Sequence, residues 1–238
     1  MSKSLPRLQA GESIWFDQEQ YPKVNRDWFS PEYWQQQGRL TGQAKGRGTS
    51  FFIASEQGDL VLRRYLRGGL IGKLLSDQYF YDGMRRTRAW REWMLLLQMR
   101  ELGLPVPQPV AARVRRSGVF YRAELITARI AGARDVHDIL TKEAVSPVIW
   151  ESIGEVIAKM HRYQVYHHDL NIRNIMLDHH EQVWIIDFDK CRLRMGDAWK
   201  ADNLARLKRS LEKEAGLATT FFWTDTDWQC LLKGYHQG

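Results

Sequence analysis

An acid, an amide and a second acid, Asp169, Asn174 and Asp187, stand in otherwise apolar, strand-like sequence: "YHHDLNIRNIML" and "VWIIDFDK". Two short strands, one starting at Asn174 and one ending at Asp187, flank the polar, turn-like "DHHEQ". A hairpin centred midway between them puts Asn174 directly opposite Asp187, with Cβ atoms about 4.5–5.5 Å apart. Two oxygen ligands so placed suit one small hard cation, Mg²⁺, at about 2.0–2.1 Å from each oxygen. Asp169 lies on the loop entering this hairpin and is expected to face the same space without being a ligand. A metal pair plus a separate carboxylate is the equipment for phosphoryl transfer. The metal neutralises phosphate charge, and the carboxylate accepts the proton of an attacking hydroxyl.

These residues need elements to hold them. Upstream, "TGQAKGRGTSFFIAS" places Gly42, Gly46 and Gly48 before a β-prone run, and "GDLVLRRY" follows as a second strand with Gly58 and Asp59 as the turn. A helix comes next, "RRTRAWREWMLLLQMRELG", with Trp90, Trp93 and Leu97 on one face. Gly103 ends it, and Pro105 and Pro107 forbid its continuation. Two more strands are read at "PVAARV" and "VFYRAELIT". A second helix starts at Ser146-Pro147, an N-cap followed by an N1 proline, with the stripe Ile149, Ile153, Val156, Ile157 and Met160. The aromatic "DWFSPEYW" near the N-terminus reads as a segment packed on the main body. Strands precede helices, so the fold class is α+β. A β-rich lobe, residues 1–126, is followed by a helical lobe, residues 127–238.

Composition narrows the setting. The chain has 238 residues, 35 Lys plus Arg against 28 Asp plus Glu, and a formal net charge of +7. A basic balance favours an anionic partner, whether nucleotide, nucleic acid or an acidic membrane face. Two cysteines without a CxxC spacing argue against a disulfide framework or a zinc site. The N-terminus lacks an apolar signal core, and the longest apolar run, "WMLLL", is far too short to span a bilayer.

The motifs carry a resemblance. "HHDLNIRNIML" with "IIDFDK" is similar to the H-R-D-L-x-x-x-N and D-F-G pair of the protein-kinase-like bilobal fold. More narrowly, the whole chain resembles the bacterial Kdo kinases, which phosphorylate 3-deoxy-D-manno-octulosonic acid (Kdo). The matching stretches run from "WFSPEYW" and "GRGTSFFI" through "VLRRYLRGGL" to "NLARLKRSLEKE". The resemblance implies ATP and Mg²⁺ as cofactors and Asp169 as catalytic base, with Asn174 and Asp187 as metal ligands. Arg63 takes the phosphate-pairing position, Glu92 is its ion-pair partner, and Gly46 and Gly48 lie in the phosphate-covering loop. It further implies transfer to the Kdo 4-hydroxyl of Kdo-lipid A. The site of action is then the cytoplasmic face of the bacterial inner membrane, with peripheral attachment to that anionic surface and no nucleic-acid partner.

Departures from the protein-kinase pattern are informative. Phe51 stands where a third glycine is usual, Arg63 replaces lysine, and His168 replaces the arginine that pairs with a phosphorylated activation loop. No A-P-E follows "DFDK", so a constitutively assembled site is expected. Asp189, in the third D-F-G position, is either an outer partner of the metal or a solvated turn residue. Only 51 residues follow Asp187, which leaves little room for a peptide-docking lobe. Arg173, between base and metal ligand, is expected to anchor the acceptor carboxylate, with Lys190 and Arg192 adding to a positive wall. Two other readings stand beside this one: a kinase of protein acceptors resembling the RIO kinases, and a pseudokinase-like binding module.

Overall fold

In the computed structural model of the chain, residues 7–9, 11–45, 49–66 and 77–238 are described. Gly46 and Gly48 lie outside them. The chain forms two compact units. The first comprises Met1–Leu97 and Gln108–Arg129, the second Gln98–Pro107 and Ile130–Gly238. Among the described residues no helix is long and apolar enough to cross a membrane.

The first unit is built on an antiparallel sheet. Its strands are β1 (Arg7–Gln9), β2 (Glu12–Phe16), β3 (Leu40–Lys45), β4 (Thr49–Ser55), β5 (Gly58–Arg64), β6 (Tyr79–Phe80), β7 (Pro109–Ser117) and β8 (Phe120–Ala128). The order is β1-β2-β7-β8-β5-β4-β3, with β6 added to β8. The β4–β5 turn falls at Glu56-Gln57, because Ser55 pairs with Gly58. Gly58 and Asp59, expected as the turn, instead open the strand. Gly58 adopts φ +111, a conformation glycine reaches at little cost.

Helix α1 (Pro31–Gln36) is capped by Ser30, whose side chain accepts from Tyr33 N–H. Ahead of it a single 3₁₀ turn, Arg26–Phe29, is capped by Asn25. Trp28, Phe29 and Trp34 are buried against Leu60, Leu62, Val110 and Ile126 of the sheet. Each such side chain contributes about 2–3 kcal/mol by leaving water. Buried Arg113 ties the segment down, donating to the carbonyls of Arg26 (3.3 Å) and Phe29 (3.4 Å) and to both Glu124 oxygens (3.1 and 3.0 Å).

Strand alternation then places the first chemical residue. Leu60 and Leu62 face this core, so Arg63 takes the other face of β5 by the two-residue period. Helix α2 (Arg88–Glu101) buries Ala89, Glu92, Trp93, Leu96 and Met99, with Leu95 beside them. The buried stripe is therefore centred on Glu92–Trp93–Leu96 rather than on the expected Trp90–Trp93–Leu97. The acid is drawn inside because it has a partner there.

In the second unit, α3 (Val136–Leu140) follows β9 (Arg134–Asp135), and Asp135 caps it. Helix α4 (Pro147–Arg162) starts at the Ser146 cap. Its buried residues include Ile149, Ile153, Ile157 and Met160, while Val156 is only partly covered. Trp150, Gly154, Ala158 and His161 add a second buried face, which α6 (Asp225–Gln237) covers. The two backbones cross at glycines: a Cβ on Gly154 would meet the Leu231 carbonyl oxygen at 2.0 Å, and one on Gly234 the Glu151 carbonyl oxygen at 1.9 Å. Strands β10 (Val165–Tyr166), β11 (Ile175–Leu177), β12 (Val183–Ile185) and β13 (Arg192–Leu193) and helix α5 (Lys200–Leu217) complete the unit.

Candidate active site

Each unit carries one set of the expected residues. In the first, Arg63 Nη2 donates to Glu92 Oε1, and the Tyr65 hydroxyl donates to Glu92 Oε2 at 2.7 Å. Arg63 and Tyr65 are two apart on one face of the chain leaving β5, so both reach the same carboxylate. Glu92 is 3% exposed. A carboxylate so buried needs partners of this kind to offset its desolvation. The Tyr65 hydroxyl is pushed well above its ordinary range, first by burial and then by the Glu92 charge.

The second set lies on the loop between β10 and β11 and on the chain after β12. Register is one correction. Ile175 pairs with Ile185 and Leu177 with Val183, so the hairpin is centred one half-residue earlier than expected. Asn174 therefore faces Ile186, whose N–H donates to the Asn174 carbonyl at 3.0 Å. Asp187 lies beyond the paired residues, in the left-handed conformation at φ +64. Asp is among the side chains that enter this region at modest cost, and such residues cluster where geometry serves function.

Local bonds hold the loop in shape. Asn174 Nδ2 donates to the Asp169 carbonyl at 2.9 Å, which commits the amide N–H₂ inward. Asn171 Nδ2 donates to the same carbonyl at 3.0 Å, and Asn171 Oδ1 accepts from Arg173 N–H. Fully buried His167 spans to the residue just after β12, Nε2 donating to the Ile186 carbonyl at 3.1 Å. Burial holds its imidazole below its ordinary range, so it is neutral there.

Helix α5 holds the rest through one polar face. Asn203 Nδ2 donates to the His167 carbonyl at 2.7 Å. Arg206 donates to Asp169 Oδ1 through Nη2 (2.5 Å) and Nε (3.2 Å). Ser210 Oγ accepts from Ile172 N–H at 2.9 Å, and Glu214 accepts from Arg173 at 2.9 Å. Spacings of three and four residues put 203, 206, 210 and 214 on one stripe, and buried Leu207 and Leu211 lie beside it. None of the four was assigned a role from sequence. The signal present was four polar side chains at helical spacing among leucines.

The relay extends deeper. His161 of α4 donates through Nε2 to Asn203 Oδ1 (3.1 Å) and accepts at Nδ1 from the Tyr235 hydroxyl of α6 (2.9 Å). This bond pattern requires the neutral imidazole. Burial, opposed by the Asn203 bond, lowers the His161 pKa to about 4.

Arg173 has partners within its own chain. Its guanidinium pairs with Glu214 and lies 2.8 Å from His137 Nε2. The Arg173 hydrogen bond holds the Glu214 carboxyl below its ordinary range. Arg173, expected from sequence as an acceptor anchor, is thus also engaged within its own chain. Lys190 and Arg192 are exposed, and Asp189 is partly buried.

Comparison with known proteins agrees with the motifs. A sequence model described as "Lipopolysaccharide kinase (Kdo/WaaP) family" matches residues 31–235. The chain belongs to this family. It is 47% identical over 205 residues to a 3-deoxy-D-manno-octulosonic acid kinase of Vibrio cholerae serotype O1, covering 86% of this chain and 87% of that one. It is 46% identical over 232 residues to one of Vibrio vulnificus, covering 97% and 98%. A Haemophilus influenzae relative of the same name is 44% identical over 219 residues, covering 89% and 90%. The antiparallel sheet and the helical second unit agree with the kinase-like fold of this family.

Proposed function

We propose that this chain transfers the γ-phosphate of ATP to the 4-hydroxyl of Kdo in the lipopolysaccharide inner core, with Kdo-lipid A as acceptor and Mg²⁺ as cofactor. Full-length similarity to curated Kdo kinases supports the acceptor class. The observation that carries the chemistry is the bond from Asn174 Nδ2 to the Asp169 carbonyl. It fixes a candidate metal ligand to the loop of the candidate base, and it leaves the Asn174 amide oxygen as the atom not spent on that bond.

An amide oxygen and a carboxylate, Asn174 and Asp187, form a donor set that fits a hard divalent cation. Mg²⁺ held there would neutralise charge on the transferring phosphate. The remaining work falls to the chain's side chains. Asp169, oriented by Arg206, accepts the proton of the Kdo hydroxyl as its oxygen bonds to the γ-phosphorus and the bond to the leaving ADP oxygen breaks. Arg63, aimed by Glu92 and Tyr65, supplies a guanidinium fork for phosphate oxygens in place of a lysine point charge.

The test is mass spectrometry of Kdo-lipid A after incubation with the protein and Mg-ATP. Gain of one phosphate on Kdo is expected, lost on chelation of Mg²⁺. Asp169→Ala should reduce turnover about 10²–10⁴-fold while nucleotide binding survives, and Asp187→Ala should weaken Mg-ATP binding as well. An unmodified acceptor, or a normal rate from Asp169→Ala, would refute the assignment.

A further inference from the structure

Five residues after Asp187 the chain enters an exposed strip, "RLRMG", residues 192–196. Leu193 is 46% and Met195 83% exposed, and Lys190, Arg192 and Arg194 are exposed alongside them. From 190 to 196 the sequence holds three cations and no acid. The first acid beyond, Asp197, is paired with Lys200 at 2.6 Å.

The strip is not a fraying end. Strand β13 pairs with β10 through Val165–Leu193 and Tyr166–Arg192. Arg194 N–H donates to the Gln164 carbonyl (2.8 Å), and the indole of buried Trp199 donates to the Arg194 carbonyl (2.9 Å). Arg192 and Arg194 both lie over the Tyr166 ring, at 5.2 and 5.4 Å. The fold therefore holds Leu193 and Met195 in water on a strip whose two arginines both lie against Tyr166. Nearby His168 is kept below its ordinary range by partial burial, then by the cations Lys190 and Arg206, with Arg192 adding to them.

We infer that residues 190–196 form a docking strip for an anionic lipid surface, with Leu193 and Met195 entering the acyl boundary and Lys190, Arg192 and Arg194 meeting the headgroups. Charge complementarity selects the occupant: alternating cationic and apolar side chains suit an anionic leaflet, where both kinds of group gain at once. Long basic side chains keep their charge at headgroup level while their stems cover apolar surface. The inference rests on the proposed reading that the acceptor is lipid-borne. A strip that begins three residues past a metal ligand then brings the base and metal residues to the leaflet that holds the acceptor.

The experiment is sedimentation of the full chain with phosphatidylcholine vesicles, with and without phosphatidylglycerol. Binding to the anionic vesicles is expected, falling as salt rises. Leu193→Ser/Met195→Ser should weaken it about tenfold or more. Met195→Ser alone, at a site too exposed to affect folding, should lose part of that. Arg194→Gln should cost about fivefold. In a second arm, Leu193→Ser/Met195→Ser should phosphorylate vesicle-embedded Kdo-lipid A more slowly but a deacylated, water-soluble Kdo acceptor at the normal rate. Unchanged vesicle binding, equal loss on both acceptors, or an equal loss of binding from Phe80→Ser on the other unit would overturn the inference. Failure of the wild-type protein to phosphorylate either acceptor would instead refute the proposed function, and the vesicle arm would still decide this point.

Discussion

Arg206 grips the Oδ1 atom of Asp169 through both Nη2 and Nε, at 2.5 and 3.2 Å. The arginine comes from α5, thirty-seven residues further along the chain. Two donors of one rigid guanidinium converging on a single oxygen hold that atom in place better than a single point charge does.

Replacing that fork is the first prediction. Arg206→Gln should lower kcat about tenfold or more, because a misplaced base loses alignment with the hydroxyl it serves. Arg206→Lys should recover only part, since one ammonium cannot make both bonds. The KM for ATP should move little in either variant. A steady-state comparison of the three proteins checks this. If both variants matched wild type in kcat, Arg206 would have no positioning role.

Why was Arg206 invisible in sequence when Asp169 was not? The base and the two ligand candidates sit in short motifs with local logic, strand period and hairpin geometry, while the Arg63–Glu92 pair was implied by the family resemblance. The contacts of α5 join residues thirty or more positions apart. Nothing in local periodicity says which loop a polar helix face will meet. Arg173 shows the same limit. Its sign suited an acidic acceptor, and local sequence gave no sign of its pairing with Glu214, forty-one residues away. The hairpin register failed for a smaller reason. The count from Asn174 to Asp187 assumed both were in the strands, whereas pairing stops at Ile175 and Ile185 and the left-handed residue comes after. The N-terminal aromatics, read as packing, are buried in the core of the first unit.

The second prediction concerns the buried acid of the first unit. Arg63→Met removes the cation from Glu92, which is 3% exposed and keeps the Tyr65 hydroxyl at 2.7 Å. Removing this ion pair from the buried carboxylate should cost about 3–5 kcal/mol. Arg63→Met/Glu92→Gln should recover much of the loss, because neither side chain then brings a charge into the core. Arg63→Lys should fold well yet raise the KM for ATP, since lysine lacks the fork. Urea midpoints of the four proteins, with ATP kinetics on the lysine variant, provide the check. A double variant no more stable than Arg63→Met alone would contradict the account.

The last prediction is a pH dependence of stability. His161 is buried between Asn203 and the Tyr235 hydroxyl, with a pKa lowered from 6.5 to about 4 chiefly by burial. In the unfolded chain it protonates near its ordinary value. Between those two values the unfolded state binds more protons than the folded one, so stability rises with pH and is lost as pH falls from about 6.5 towards 4. A shift of that size corresponds to about 3 kcal/mol across the window. Buried His167, displaced in the same direction for the same reason, adds to the loss. Urea denaturation at pH 7 and pH 5 should show the midpoint falling on acidification. His161→Gln, which has no charge to gain, should show a shallower fall even though it is less stable at pH 7. Because His161 reaches the His167 carbonyl through Asn203, the acid transition should also disturb the loop that carries Asp169. Activity should therefore decline with the same midpoint as the fold, and a variant whose stability falls as steeply as wild type would place the titrating group elsewhere.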